Sequence, residues 1–282
     1  MRLGDDLQES RAHPFALHGE QGAVQEPSGR HELAASSVFH QVVSPGRRST
    51  MRPSPFEAAA QYVAAAHPGC LLAVLGGSAA RRTHGPDSDL DIVVVERGES
   101  ELFRRVVRFR GWIVDCFILT DSDYREIFDA GMQEANPSLQ RMIAEGTVIR
   151  RTERGLQIVE EARADLTFGP LPWSPDEIDD ARNRLSETAA DLLRSRCRDE
   201  RRFIASRLVL LAAEFLLRTG RRWIGEGKHL YRCLREFSPE YAAKLSSALE
   251  ALNAHDDPAP LIAVCRSILE PFGGELIVGY ER

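Results

Sequence analysis

Two apolar runs, each too short for a helix, bracket a glycine pair and an acidic doublet: CLLAVLGG at 70–77 and DLDIVVV at 89–95. Runs of this length, rich in aliphatic and β-branched residues and bounded by turn residues, read as buried strands. SAARR between them reads as the start of a short helix, so the segment predicts a strand, turn, helix, strand unit. FRRVVRF and WIVDCFIL flank Arg110-Gly111 and predict two antiparallel strands joined by a tight turn. Together these runs predict a mixed sheet of about four or five strands. Helices are predicted after it at 121–130, 136–145 and 153–165.

Order begins at Ser54-Pro55, an N-cap followed by a proline at the first helical position, leading into the alanine-rich PFEAAAQYVAAAH. That helix is predicted to stop at Pro68-Gly69. The stretch TFGPLPWSP, residues 167–175, holds three prolines and a glycine and breaks any helix, so a domain boundary is expected there. Beyond it, apolar residues three and four apart predict helices at 175–197, 200–219, 238–253 and 258–270, the pattern of an antiparallel bundle. The fold class read from these patterns is α/β (α+β): a small mixed sheet with helices over 51–168, then an all-α bundle over 169–282. Residues 1–50 lack sustained apolar periodicity and read as a disordered tail, with an in-frame Met51, a candidate natural start, where patterned sequence begins. The tail histidines His13, His18, His31 and His40 have no ligand spacing and read as solvated.

Composition excludes several classes. Hydrophobic residues at 43% and charged residues at 28% are globular usage, not that of a fibrous or wholly disordered chain. The longest apolar run, Leu208–Leu217, is interrupted by Glu214 and falls short of the roughly 18 residues of a spanning helix, so no membrane partner is expected. Met1–Glu9 carries acidic residues where a signal peptide carries basic charge, which points to a cytoplasmic protein. Five widely spaced cysteines without CxxC read as reduced thiols. A net charge of −6 argues against a nucleic-acid partner.

The chemistry concentrates in GGSAARRTHGPDSDLDIVVV, residues 76–95. Gly76 and Gly77 at a strand end let the backbone turn sharply and approach a phosphate, while Ser78 offers a hydroxyl and the helix start offers N–H donors. Asp89 and Asp91, two apart on a predicted strand, project from one face. Two such carboxylates repel unless a divalent cation lies between them, the arrangement that phosphoryl and nucleotidyl transfer require. Asp115, inside WIVDCFIL, is a third acid whose apolar neighbours make it costly to bury unpaired. Each fragment alone has an ordinary reading: a turn, a solvated strand edge, or a strand aspartate satisfied by a nearby arginine. Order and spacing favour a joint reading.

LGGS, then SDLDIVVV, then IVDCF resembles the signature of the polymerase-beta-like nucleotidyltransferase superfamily. The layout, a catalytic domain followed by helices from about residue 55 onward, is similar to the stand-alone bacterial branch that includes the aminoglycoside (kanamycin) nucleotidyltransferases. GRRWIGEGKHLYRCLRE is a Gly-Lys segment such proteins often carry, whereas the spacer with His84-Gly85-Pro86 departs from the pattern. The resemblance implies that Gly77 and Ser78 hold the triphosphate of ATP or another NTP, that Asp89 and Asp91 bind Mg²⁺, and that Asp115 completes the metal site or takes the acceptor's proton. Arg81 stands where the family has a basic residue after the serine, as a phosphate contact or a plain surface arginine. Lys228, from the helical half, is a candidate to close over the β/γ-phosphates. Arg222 and His229 share the Rx6H spacing of HEPN ribonucleases, but Gly225 and Gly227 interrupt the helix that motif needs. Trp112, Trp173 and Trp223 read as core, and Glu134, Arg141 and Glu145 as candidate acceptor contacts or surface charge. The activity expected is Mg²⁺-dependent transfer of a nucleoside monophosphate, AMP first, to a hydroxyl of a small, possibly aminoglycoside-like acceptor. The alternatives are adenylylation of a partner protein, as antitoxins of this type do, and a non-catalytic nucleotide-sensing module.

Overall fold

A helix, a five-stranded sheet with interleaved helices and a helical bundle follow one another in a computed structural model that describes residues 52–85, 87–98 and 103–281. The expected tail, 1–50, lies outside the described residues. The first helix, α1 (Pro55–Ala66), starts as its sequence dictates. Ser54 accepts from the Glu57 N–H, Glu57 reaches back to the Ser54 N–H, and proline occupies the first turn.

The strands are β1 (Leu72–Leu75), β2 (Leu90–Glu96), β3 (Arg104–Phe109), β4 (Trp112–Thr120) and β5 (Thr147–Arg151), in the order β3-β4-β2-β1-β5. The sheet is mixed: β2 and β4 run parallel, and the other neighbours antiparallel. Arg110 and Gly111 both take positive φ, 47° and 84°, the backbone of a two-residue turn whose twist matches the strands it joins. β5 has no counterpart in the sequence reading. Its five residues are mostly exposed and show no alternation, and it joins the sheet through backbone pairing to β1.

Between β1 and β2 lies the short α2 (Gly77–Ala80). Helices α3 (Tyr124–Gln133), α4 (Ser138–Glu145) and α5 (Glu153–Phe168) follow close to the predicted spans. The sheet has a buried layer on each face. Cys70, Ala73, Leu75, Ile92, Val94, Val114 and Cys116 pack with α1, whereas Leu72, Val74, Val93, Val95, Phe117 and Leu119 pack with α3, α4 and α5. Odd and even residues of each strand thus divide between the layers as the pleat requires.

The bundle comprises α6 (Pro175–Arg194), α7 (Arg198–Thr219), α8 (Lys228–Phe237), α9 (Pro239–His255) and α10 (Ala259–Leu269) around a core of its own, with Leu185, Leu192, Leu208, Phe215, Leu245 and Ile262 at its centre. α6 opens on a second capping box, Ser174 with Glu177, and a proline in its first turn. α8 is absent from the sequence reading, which ended regular structure at Thr219 and resumed it at 238. The segment between α7 and α8 is tied to the sheet half: the Ile224 N–H donates to the Ala135 carbonyl at 2.8 Å, and the Trp223 indole N–H reaches the Leu166 carbonyl at 3.4 Å. No described helix is long and apolar enough to cross a membrane.

Candidate active site

The end of β1 turns into α2 at Gly76-Gly77, as the glycine pair anticipates. Gly77 has φ +61°, and a Cβ built there would stand 1.7 Å from Asp91 Oδ2, so both backbone conformation and space demand glycine. Gly76 donates its N–H to the Asp91 carbonyl at 2.8 Å, and its own Cβ would press on Met142 at 3.0 Å. The turn is therefore clamped to Asp91 by backbone and side chain together. Ser78 follows, half-buried, and no side chain caps the helix start.

Asp91 and Asp115 are direct partners in the parallel β2–β4 register and so share one face of the sheet. Asp89 stands one residue before β2 and is exposed. It precedes the strand on which the sequence reading placed it. The three acids converge electrostatically on Asp91. Burial first, then the Asp115 and Asp89 carboxylates, push its carboxyl above the ordinary range, against the opposing pull of Arg81 and Lys228. Sheet and bundle thus both bring a cation within reach of Asp91.

Arg81 forms the C-cap of α2, not its first turn, and is exposed. Lys228 is the exposed first residue of α8, behind Gly227 with φ +52°. Next to it, burial and then the cations Arg232, Lys228, Arg81 and Arg141 push the His229 imidazole down. The start of α8 therefore lies among guanidinium groups from α2 and α4. Asp115 is held differently. Arg104 Nε donates to its Oδ1 at 2.8 Å and Arg104 Nη2 to its Oδ2 at 2.6 Å, a bidentate pair on a carboxylate whose side chain is 12% exposed.

Sequence reasoning named the acids and missed Arg104. The signal was present, because a two-residue turn at Arg110-Gly111 sets Val106 opposite Asp115 and places Arg104 one diagonal away. Trp112 is core as expected, its indole N–H donating to the Pro53 carbonyl at 2.9 Å with the Arg52 guanidinium stacked on the ring. Of the cysteines, Cys70, Cys116 and Cys265 are buried. Burial pushes the Cys116 thiol up to about 12, which removes it as a nucleophile.

Among the described residues no group of three His, Cys, Asp or Glu side chains is placed to hold a metal ion, and the expected set of Asp89, Asp91 and Asp115 is no exception. Two hard carboxylates, Asp89 and Asp91, beside the glycine turn nonetheless suit Mg²⁺, which takes one or two protein carboxylates and completes its shell with water and substrate phosphates. The repulsion gathered on Asp91 is the property a cation at this place would relieve.

A strand end, a glycine turn and acids on adjacent strands thus come together at Asp91. Residues 61–163, which include all five strands, match the family model described as a nucleotidyltransferase domain. That match supports the superfamily and nucleotidyl transfer in general. Among solved structures, the chain is similar to a nucleotidyltransferase-like protein from Exiguobacterium sibiricum 255-15, at 16% identity over 77% of this chain and 74% of that one, with a TM-score of 0.37. No curated protein matches.

Proposed function

We propose that the chain transfers a nucleoside monophosphate, AMP from ATP as the first candidate, to a hydroxyl of a small-molecule acceptor. One observation carries this reading: the phosphate turn at Gly77 lies in contact with the Asp91 carboxylate, and Asp91 is in register with Asp115. In the reaction the acceptor oxygen forms a bond to the α-phosphorus, the bond from that phosphorus to the bridging oxygen breaks, and pyrophosphate departs with the electron pair. Gly77 and Ser78 bind the triphosphate through backbone N–H groups and a hydroxyl, while Gly76, its N–H held by the Asp91 carbonyl, sets the turn against the phosphates. Arg81 and Lys228 balance its negative charge. Asp89 and Asp91 would hold the Mg²⁺, which when bound supplies charge neutralisation at the reacting phosphate. Asp115 orients the acceptor hydroxyl and receives its proton.

The test is to incubate the full chain with each α-labelled NTP, Mg²⁺, a panel of hydroxylated small molecules including aminocyclitols, and cell extract. Label on a small molecule supports the proposal. Label on a protein replaces it with the protein-acceptor reading, and the absence of both label transfer and NTP binding overturns it.

A further inference from the structure

The face of the sheet that carries Asp115 continues onto the edge strand, and its chemistry there is cationic. Alternation in the β3–β4 register places Arg104, Val106 and Arg108 beside Ile113, Asp115 and Phe117. Towards Leu119 this face is covered by α3, α4 and α5, whereas Val106 is 58% exposed and Arg108 is also exposed. The Arg104 guanidinium sits over the Phe117 ring at 5.2 Å, its side chain 56% exposed while it grips the largely buried Asp115. Asp115 is the one carboxylate that β3 and β4 present on this face, and both its oxygens are occupied by Arg104. Arg108 forms no ion pair among the described residues. Among the described residues, β3 and β4 offer a polycationic acceptor two guanidinium groups and no free carboxylate, the Asp91 and Asp89 carboxylates lying one strand away at β2. An anionic acceptor would find guanidinium groups on the same face of β3, to either side of the exposed Val106.

We infer that the β3–β4 face is the acceptor surface, that it selects hydroxyl compounds carrying a phosphate or carboxylate group, and that Arg104 is a clasp which such an anion draws from Asp115 to itself. The inference rests on the transfer reading and specifies its acceptor. It makes Arg104 and Arg108 specificity-determining residues. Release of the clasp frees the Asp115 oxygens when the correct acceptor arrives, which ties the availability of that carboxylate to occupancy of the site.

The test needs neither NTP nor metal. Ribose 5-phosphate, ribose and kanamycin are titrated calorimetrically into the full chain, and into Arg108→Gln, Arg104→Lys and Lys228→Ala variants. Arg108→Gln leaves the Arg104–Asp115 pair in place, so it reads recognition without exposing a buried charge. Saturable binding of ribose 5-phosphate, with ribose and kanamycin at least about ten-fold weaker, is expected. The preference should fall about ten-fold in Arg108→Gln, fall in Arg104→Lys, whose ammonium cannot make the bidentate contact, and persist in Lys228→Ala. Equal binding of ribose and its phosphate, or preferred binding of kanamycin, overturns the inference. So does binding lost in Lys228→Ala and kept in Arg108→Gln, which would assign the phosphate to the triphosphate side. Label transfer from NTP in the same preparations reports separately on the transfer reading, so the two failures are distinguishable.

Discussion

Asp91 carries conflicting demands, and its variants separate them. Burial, with Asp115 and Asp89, raises its carboxyl in the folded protein, while in the unfolded chain it titrates in the ordinary range. Ionising it therefore costs folded stability as pH rises through the raised value, and below the ordinary carboxylate range the cost is absent. Asp91→Asn is expected to melt higher than wild type in metal-free buffer at about pH 7, with the gain gone near about pH 3. An unchanged melting temperature at neutral pH would remove the repulsion from the account. The same variant is expected to lose about 10²–10³ in transfer rate, a loss that metal titration and labelled product would reveal. Gly77 gives a sharper test. Alanine there incurs roughly 1–2 kcal/mol for a left-handed backbone and displaces the Asp91 carboxylate. Pairing it with Asp91→Ala should recover part of the loss, a coupling of about 0.5–3 kcal/mol readable from denaturant unfolding of the four proteins. Strict additivity would show that the two residues do not touch.

Among the elements, α8 decides whether the bundle takes part in the chemistry. Its first residue, Lys228, acts on Asp91 together with Arg81. Lys228→Ala is expected to weaken NTP binding about ten-fold in the presence of Mg²⁺ with little change in melting temperature, the loss of one charge-assisted contact. Equal dissociation constants for the two proteins would leave the ammonium in solvent. The elements that the sequence announced are those with a strong local code: the Ser54-Pro55 cap, the Arg110-Gly111 turn, and the apolar runs of β1, β2 and β4. α8 escaped because Gly225 and Gly227 obscure its start and its exposed side is crowded with basic residues. β5 escaped because pairing to β1, not side-chain pattern, makes it a strand. At the site, the acids stood out against apolar neighbours. The Arg104–Asp115 pair and the approach of α8 to Arg81 and Arg141 depend on register and docking, which no local window contains.

At the scale of the whole molecule, the described residues form one compact unit, although sheet and bundle keep separate apolar cores. Leu208, fully buried in the bundle, tests whether they share their stability. Leu208→Ala should cost about 2–5 kcal/mol, and hydrogen exchange is expected to show faster opening at the β2 amides as well as those of α7. Loss of protection confined to the bundle would mean that the halves unfold separately. The order in which the molecule is built follows from its single parallel pairing. β2 and β4 cannot zip from a turn, because the chain must first lay β3 on the far side of β4 and then return. The β3–β4 hairpin is close in sequence and able to form early, β2 joins it across a longer loop, and the pairing of β1 with β5 closes a longer one still, so the alignment of Asp91 with Asp115 is expected to follow the hairpin. The two carboxylates are thus expected to come side by side only once the hairpin that brings Arg104 to Asp115 has formed.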